Sequence, residues 1–166
     1  MSLVFGVVTG KVTDVKDPLG IGRVRVNFPW LPGENQSYWA PVATMMAGKQ
    51  RGSWFMPELG DDVLVAFEQG HVDHPYVLGF LWNGKDKPPR TDTTIRVIES
   101  VNGHQIEIYD QVGGPGKGYV RIQDAHGNVI ELGDSYISIT GVGAVTIDAP
   151  SILINNRPVN LVGGPI

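Results

Sequence analysis

The sequence predicts an all-β protein: a small barrel over residues 1–89, then a run of very short strands. Three observations carry this. In the last third, apolar residues pair at a spacing of two, as Ile130/Leu132, Ile137/Ile139, Val145/Ile147, Ile152/Ile154 and Val159/Leu161, and successive pairs begin 7, 8, 7 and 7 residues apart. That is the period of a strand with one buried face, whereas a coiled coil needs apolar residues alternately three and four apart. The intervals hold Gly133, Gly141, Gly143, Pro150 and Asn155–Asn156, which end strands rather than continue helices. Finally, 22 glycines and 12 prolines make up about a fifth of the chain, too much punctuation for a helical protein yet below a low-complexity composition.

Taken in order, Val7–Val15 reads as a strand that enters a turn at Asp17-Pro18-Leu19-Gly20. Arg23–Phe28 alternates strictly, with Val24, Val26 and Phe28 on one face, and Phe28–Gly33 ends it. Tyr38–Ala43 is a further strand, which Pro41 confines to an edge or a bulge. Met45–Gly52 is the least strand-like piece and reads as a loop with a helical turn over a barrel end. Asp62–Glu68 and Tyr76–Trp82 complete a set of five strands without an amphipathic helix, which suggests a closed or nearly closed barrel that removes the sheet edges. Lys85–Arg90 is polar and proline-rich, a linker.

These residues also carry a family likeness. Gly22–Leu31, Trp39–Ala43, the run Gly52–Glu68 and His74–Gly79 resemble, in order and with few gaps, the phage baseplate assembly protein V family, the central spikes of contractile tails. The same stretch is similar to the OB-fold (oligonucleotide/oligosaccharide-binding barrel) of type VI secretion valine-glycine repeat spikes. The resemblance implies an OB-fold barrel acting as a collar over residues 1–89, followed by an intertwined triple-stranded β-helix of a homotrimer. The shaft is then 90–157 and the tip segment 158–166. It departs from the family in two respects, having neither the large hub-like domain before the barrel nor a lysozyme domain after it. A minimal spike with a separate hub protein is expected.

The residues support the repeat half more weakly by themselves. Gly103–Asp110 is echoed 24 residues later by Gly127–Asp134, and the pairs Ile95/Val97 and Val120/Ile122 extend the pattern forward to about eight short strands. A narrow ribbon with two or three apolar side chains per strand cannot build a core alone. Identical chains around a common axis would bury each stripe. The sequence says only that more than one chain is needed; three is the number the resemblance implies. The expected core of the trimer is Ile130, Leu132, Ile137, Ile139, Val145, Ile147, Ile152 and Ile154. Eight layers at about 4.8 Å each would give a shaft on the order of 40 Å long.

Composition narrows the function classes. No stretch approaches the 18 apolar residues of a membrane-spanning helix, and Met1–Gly6 lacks the basic and apolar regions of a secretory signal. The absence of cysteine excludes disulfides and thiolate metal sites and suits a reducing cytosol. Residues 1–90 carry nine Lys/Arg and nine Asp/Glu, residues 91–166 four and eight, so the net charge of −4 lies wholly in the repeat half. A neutral barrel offers no electrostatic funnel for nucleic acid.

Several clusters invite chemistry. His71-Val72-Asp73-His74 has ligand types that suit zinc or iron, but reads as the hairpin loop before the last barrel strand, so no metal is expected. His104 and His126 read as turn residues. Some phage spikes resembling this chain end in an iron-binding histidine pair, but no histidine follows His126 here. Gly113–Tyr119 lacks the spacing and the Ser/Thr of a phosphate loop, which leaves a wide turn. Arg23, Arg25, Trp30 and Trp39 have the types that stack and neutralise single-stranded nucleic acid. Glu58, Asp61 and Asp62 have those of a glycan-hydrolysing carboxylate pair, though nothing marks one as a raised-pKa acid.

The tail is apolar and uncharged after Arg157. Val159, Leu161, Val162 and Ile166 are therefore the expected tip or cap-binding residues, and the resemblance implies a small conical PAAR-repeat protein as cap. The expected function is a non-enzymatic central spike of a phage baseplate or phage-tail-like particle, made in the bacterial cytoplasm, which pierces a target cell envelope mechanically and needs no cofactor. The alternative is an OB-fold binding module for nucleic acid or glycan on a trimeric β-stalk.

Overall fold

A computed structural model describes residues 3–31 and 36–159. The chain divides into two compact units, Met1–Lys87 and Pro88–Ile166.

The first unit is built from strands β1 (Val7–Asp14), β2 (Arg23–Asn27), β3 (Ala40–Pro41), β4 (Ala47–Gly48), β5 (Arg51–Gly52), β6 (Asp62–Phe67) and β7 (Pro75–Leu81), with a 3-10 turn at Glu68–Gly70. Five of them form one antiparallel sheet in the order β3-β2-β1-β6-β7. Beyond β3 the chain returns to the opposite edge: Val42 bridges Val77 in parallel, and the Ala43 amide donates to the Val77 carbonyl at 2.8 Å. This nearly closes the barrel, as the five alternating strands predict.

Alternation places Val24 and Val26 of β2, Val63, Val65 and Phe67 of β6, Val77 of β7 and Val12 of β1 inside, with Phe28 and Ala40. Phe28 meets Phe67 edge-on at 5.4 Å between centroids, an arrangement that adds to the area they bury. The register slips between Val12 and Asp14 and between Leu64 and Val65. Such bulges bend strands, as a small barrel requires. At Gly10, in mid-strand, a β-carbon would stand 2.3 Å from Val26 Cγ1, so the barrel closes tightly only because none is there.

The turn after β1 is tied by Asp17. Its carboxylate accepts the backbone amides of Leu19 and Ile21 at 3.0 Å each and the Arg23 guanidinium at 2.6 Å. Arg23 above all holds that carboxyl well below the usual range. Pro41 lies in edge strand β3, where the missing donor costs no interior ladder bond. Met45–Gly52 differs from the sequence expectation: it is a hairpin, β4 against β5, turned at Lys49–Gln50 with Gln50 at φ 55. Two-residue strands fall below the length at which alternation is readable.

In the second unit β8 (Ile95–Glu99), β9 (Gln105–Asp110), β10 (Gly118–Gln123), β11 (Val129–Leu132) and β12 (Ile137–Thr140) form an antiparallel meander in chain order. A minimal hairpin follows, β13 (Leu153–Ile154) against β14 (Arg157–Pro158). Asn155 and Asn156 have φ of 51 and 59, the left-handed pair of a type I′ turn, and the Val159 amide donates to the Ile152 carbonyl at 2.8 Å.

Val145 and Ile147, expected to form a short strand, lie in a segment without regular structure between β12 and β13. Ile152 precedes β13. Leu161, Val162 and Ile166 fall outside the described residues.

Candidate functional site

Register decides which side chains share a face of the meander. Ile106 pairs with Ile122 and Ile98, Ile108 with Val120, Ile122 with Ile130, Val120 with Leu132, and β11 sets Ile130 and Leu132 against Ile139 and Ile137. Nine large apolar side chains therefore project from one face, across five strands spaced about 4.8 Å apart. All nine are exposed, from 39% at Val120 to 74% at Ile137. At one end the face is bordered by an exposed ion pair, Arg96 Nη1 to Asp110 Oδ2 at 2.5 Å.

Complete burial of such a side chain contributes about 1.5–3 kcal/mol, so covering the exposed half of nine contributes on the order of 10 kcal/mol per chain. An exposed apolar face this continuous is uncommon on a protein surface in water. Four of the eight expected core residues lie on it, Ile130, Leu132, Ile137 and Ile139. Ile106, Ile108, Val120, Ile122 and Ile98 complete it. Ile95 and Val97, which the pairing pattern would place on the same stripe, pair with Tyr109 and Glu107 and so lie on the other side.

The opposite face is held by polar groups bonded within the chain. It carries Glu107 and Glu131, both buried, at matching positions of the 24-residue echo. Glu107 accepts the Tyr119 hydroxyl at 2.7 Å and the Arg90 guanidinium at 2.9 and 3.0 Å. Arg90 also donates to Glu99 at 3.0 Å and to Gln105 at 2.6 Å, and so fastens the start of this unit to β8 and β9. Glu131 accepts the Tyr136 hydroxyl and the Arg121 guanidinium, the latter at 2.5 and 2.6 Å. These two donors hold its carboxyl below the ordinary glutamate value, and the carboxylates hold the Tyr119 and Tyr136 phenols above theirs. The spacing of the apolar pairs does not mark this network, although the 24-residue echo contains both glutamates.

The other clusters are engaged locally. His71, Asp73 and His74 sit on the exposed connection between the 3-10 turn and β7, and no group of three or more His, Asp or Glu side chains suited to a metal converges among the described residues. His104 and His126 lie on neighbouring turns, their rings 6.3 Å apart, and His104 Nδ1 accepts the Ala125 amide. Gly113–Gly116 belong to the turn between β9 and β10.

Arg23 is neutralised by Asp17, both Arg23 and Arg25 stand over Trp39 at 5.8 and 5.0 Å, and Trp30 donates its indole N–H to the Thr9 carbonyl. Asp62 is held below the ordinary carboxylate range by Lys11 and then by Asn83, the reverse of what a general acid requires. Asp61 accepts the Glu58 amide at 2.8 Å. Among the described residues no helix is long and apolar enough to cross a membrane.

Comparison with known proteins concentrates on the barrel. Residues 8–82 match the family model of the type VI secretion system/phage-baseplate injector OB domain. The type VI secretion system spike protein VgrG3 of Vibrio cholerae is 32% identical over 97 residues, 55% of this chain and 10% of its own length. VgrG1a of Pseudomonas aeruginosa, also named as a type VI spike protein, is 38% identical over 72 residues, 41% of this chain and 11% of its own. VgrG5 of the same organism is 30% identical over 125 residues, 73% of this chain and 15% of its own, so its match runs on into the meander. The chain thus spans a small fraction of the length of the curated relatives it matches.

Proposed function

Because its barrel belongs to the type VI secretion system/phage-baseplate injector OB domain family, we propose that this chain is the structural central spike of a contractile injection machine, working as a homotrimer and without catalysis. The observation that carries the proposal is the bare apolar face of the meander. Nine aligned aliphatic side chains are intelligible as the inner wall of a shaft that each copy contributes and no copy covers by itself.

The mechanism is mechanical. Sheath contraction supplies the work, and the shaft transmits force to a target envelope. Strands stacked along the shaft, with ion pairs and phenols outside and aliphatic side chains within, resist bending and resist unfolding without dissociation. The barrel is the docking collar toward the hub at the end of the tail tube. Val145, Ile147, Ile152 and Ile154 continue the inner stripe toward the tip. The segment from Val159 through Leu161, Val162 and Ile166 is the seat of a PAAR-repeat cap. The particle is assembled in the cytoplasm of the producing bacterium.

Light scattering on the purified chain tests this. The expected mass is three times the 18.0 kDa of one chain. A stable monomer overturns the assignment, and a salt-dependent complex with a single-stranded oligonucleotide would favour the binding-module alternative.

A further inference from the structure

Residues 95–140 and 141–159 differ in how much of their structure one chain completes alone. Each strand from β8 to β12 is hydrogen-bonded to at least one neighbour within the chain, and the polar face is locked by the Glu107 and Glu131 networks. Among the described residues the apolar face of this sheet has no cover, and its outer strands β8 and β12 each have one neighbour. Residues 141–152 hold the alternation Val145, Ile147 but no strand among the described residues, and both side chains are exposed, Ile147 by 64%. The segment is tethered at its start, where the Val142 amide donates to Asn128 Oδ1 at 2.9 Å. Ala144 and Val145 then stand off from Ile122, Ile130 and Ile139 across an open hollow of about 310 Å³. The hairpin beyond has two residues per strand, too little to be stable by itself.

We propose that the spike assembles in two stages, an inference that rests on the homotrimeric reading above. In the first, the preformed meanders of three copies associate through the nine-residue face. In the second, residues 141–159 become ordered by pairing with the neighbouring copies already in place.

The order follows from where the apolar surface is. The meander presents its face in one rigid, registered piece, so association orders little new backbone. The tip segment must fix some nineteen residues for four core side chains, and chain entropy of about 1–2 kcal/mol per residue opposes that unless the partners are already adjacent. Once the meanders have docked, the tip segments meet at the high effective concentration of a tethered reaction. Zippering then runs from the base toward the tip, and a trimer with an unzipped tip is an intermediate.

The experiment compares two variants of the full chain with the wild type, by light scattering and by amide exchange mapped along the chain. Val145→Asp/Ile147→Asp is expected to remain trimeric, with residues 95–140 protected and 141–159 exchanging at least tenfold faster than in the wild type. Ile122→Asp is expected to be monomeric and to lose protection from 95 to 159, with the amides of β1 and β6 still protected as the control for a folded barrel. A monomeric Val145→Asp/Ile147→Asp chain beside a trimeric wild type would mean that the tip nucleates assembly, and would overturn the staging alone. An Ile122→Asp trimer also overturns it. A wild type that is itself monomeric removes the homotrimeric reading, and the staging with it.

Discussion

Arg121 and Glu131 face each other across β10 and β11, Nη2 2.5 Å from Oε2, on the side of the sheet opposite the bare isoleucines. The pair, with Tyr136 against the same carboxylate, satisfies the charges on that face inside one chain. A partly buried ion pair of this kind is a weak source of net stability and a good device for fixing register. A one-residue slip of β11 would turn Glu131 into the apolar face and Ile130 out of it.

The pH dependence follows from Glu131. Its folded-state pKa lies below the ordinary glutamate value of 4.5, held there by Tyr136 and Arg121, so it contributes stability that is present above that value and lost as pH falls through the folded one. Glu131→Gln is expected to flatten the decline of the thermal midpoint below about pH 4.5 and to lower the midpoint at neutral pH. Thermal unfolding followed by circular dichroism between pH 3 and 7 checks this. An unchanged acid limb would show that Glu131 does not carry it.

The apolar face is tested by one charge. Ile139 is 59% exposed within a single chain, so Ile139→Asp costs the chain itself little. If the face is covered by other copies, an unpaired carboxylate in that core costs several kcal/mol per chain. The expected outcome is loss of the trimer with the barrel still folded, read by sedimentation and by tryptophan fluorescence. Survival of both trimer and heat resistance would place Ile139 outside the core.

Gly10 offers a test of barrel packing. Gly10→Ala places a methyl group 2.3 Å from Val26 Cγ1 and 3.0 Å from the Asn27 carbonyl oxygen, an overpacking expected to cost about 1–3 kcal/mol. Val26→Ala alone is expected to cost about 2 kcal/mol through the cavity it leaves. The double variant should lose less than the sum, because the deletion makes room for the addition. Denaturant unfolding of the three variants measures the coupling, and strict additivity would mean that the two sites do not touch.

The tip hairpin depends on its two asparagines. Asn156 has φ 59, a conformation that a β-branched residue enters only with strain of about 1–3 kcal/mol, whereas glycine enters it freely. Asn156→Val is expected to release the Val159 amide to exchange at least tenfold faster, and Asn156→Gly to leave it protected. Equal protection in both variants would exclude the type I′ turn.

Much of the barrel was legible in the sequence because its signal is local. Strict alternation in Arg23–Phe28 and Asp62–Phe67 fixes which side chains point inward, whatever lies around them. The same period identified Ile130/Leu132 and Ile137/Ile139, and the asparagines and glycines marked where strands end. What spacing could not convey is pairing. Ile95 and Val97 have the same spacing of two as Ile106 and Ile108, yet the register of β8 against β9 turns them to the opposite face. Val145 and Ile147 have it too, and form no strand among the described residues, because spacing alone supplies no hydrogen-bonded neighbour. The barrel's closure through Val42 and Val77, the β4–β5 hairpin and the double use of the echo, isoleucines on one face and buried glutamates on the other, are likewise properties of contacts between distant residues. Period, punctuation and the place of the family resemblance are local properties of the chain and can be read along it. Which apolar stripe is left without a cover depends on strand pairing, because burial is a property of a face, and a face exists only once strands are side by side.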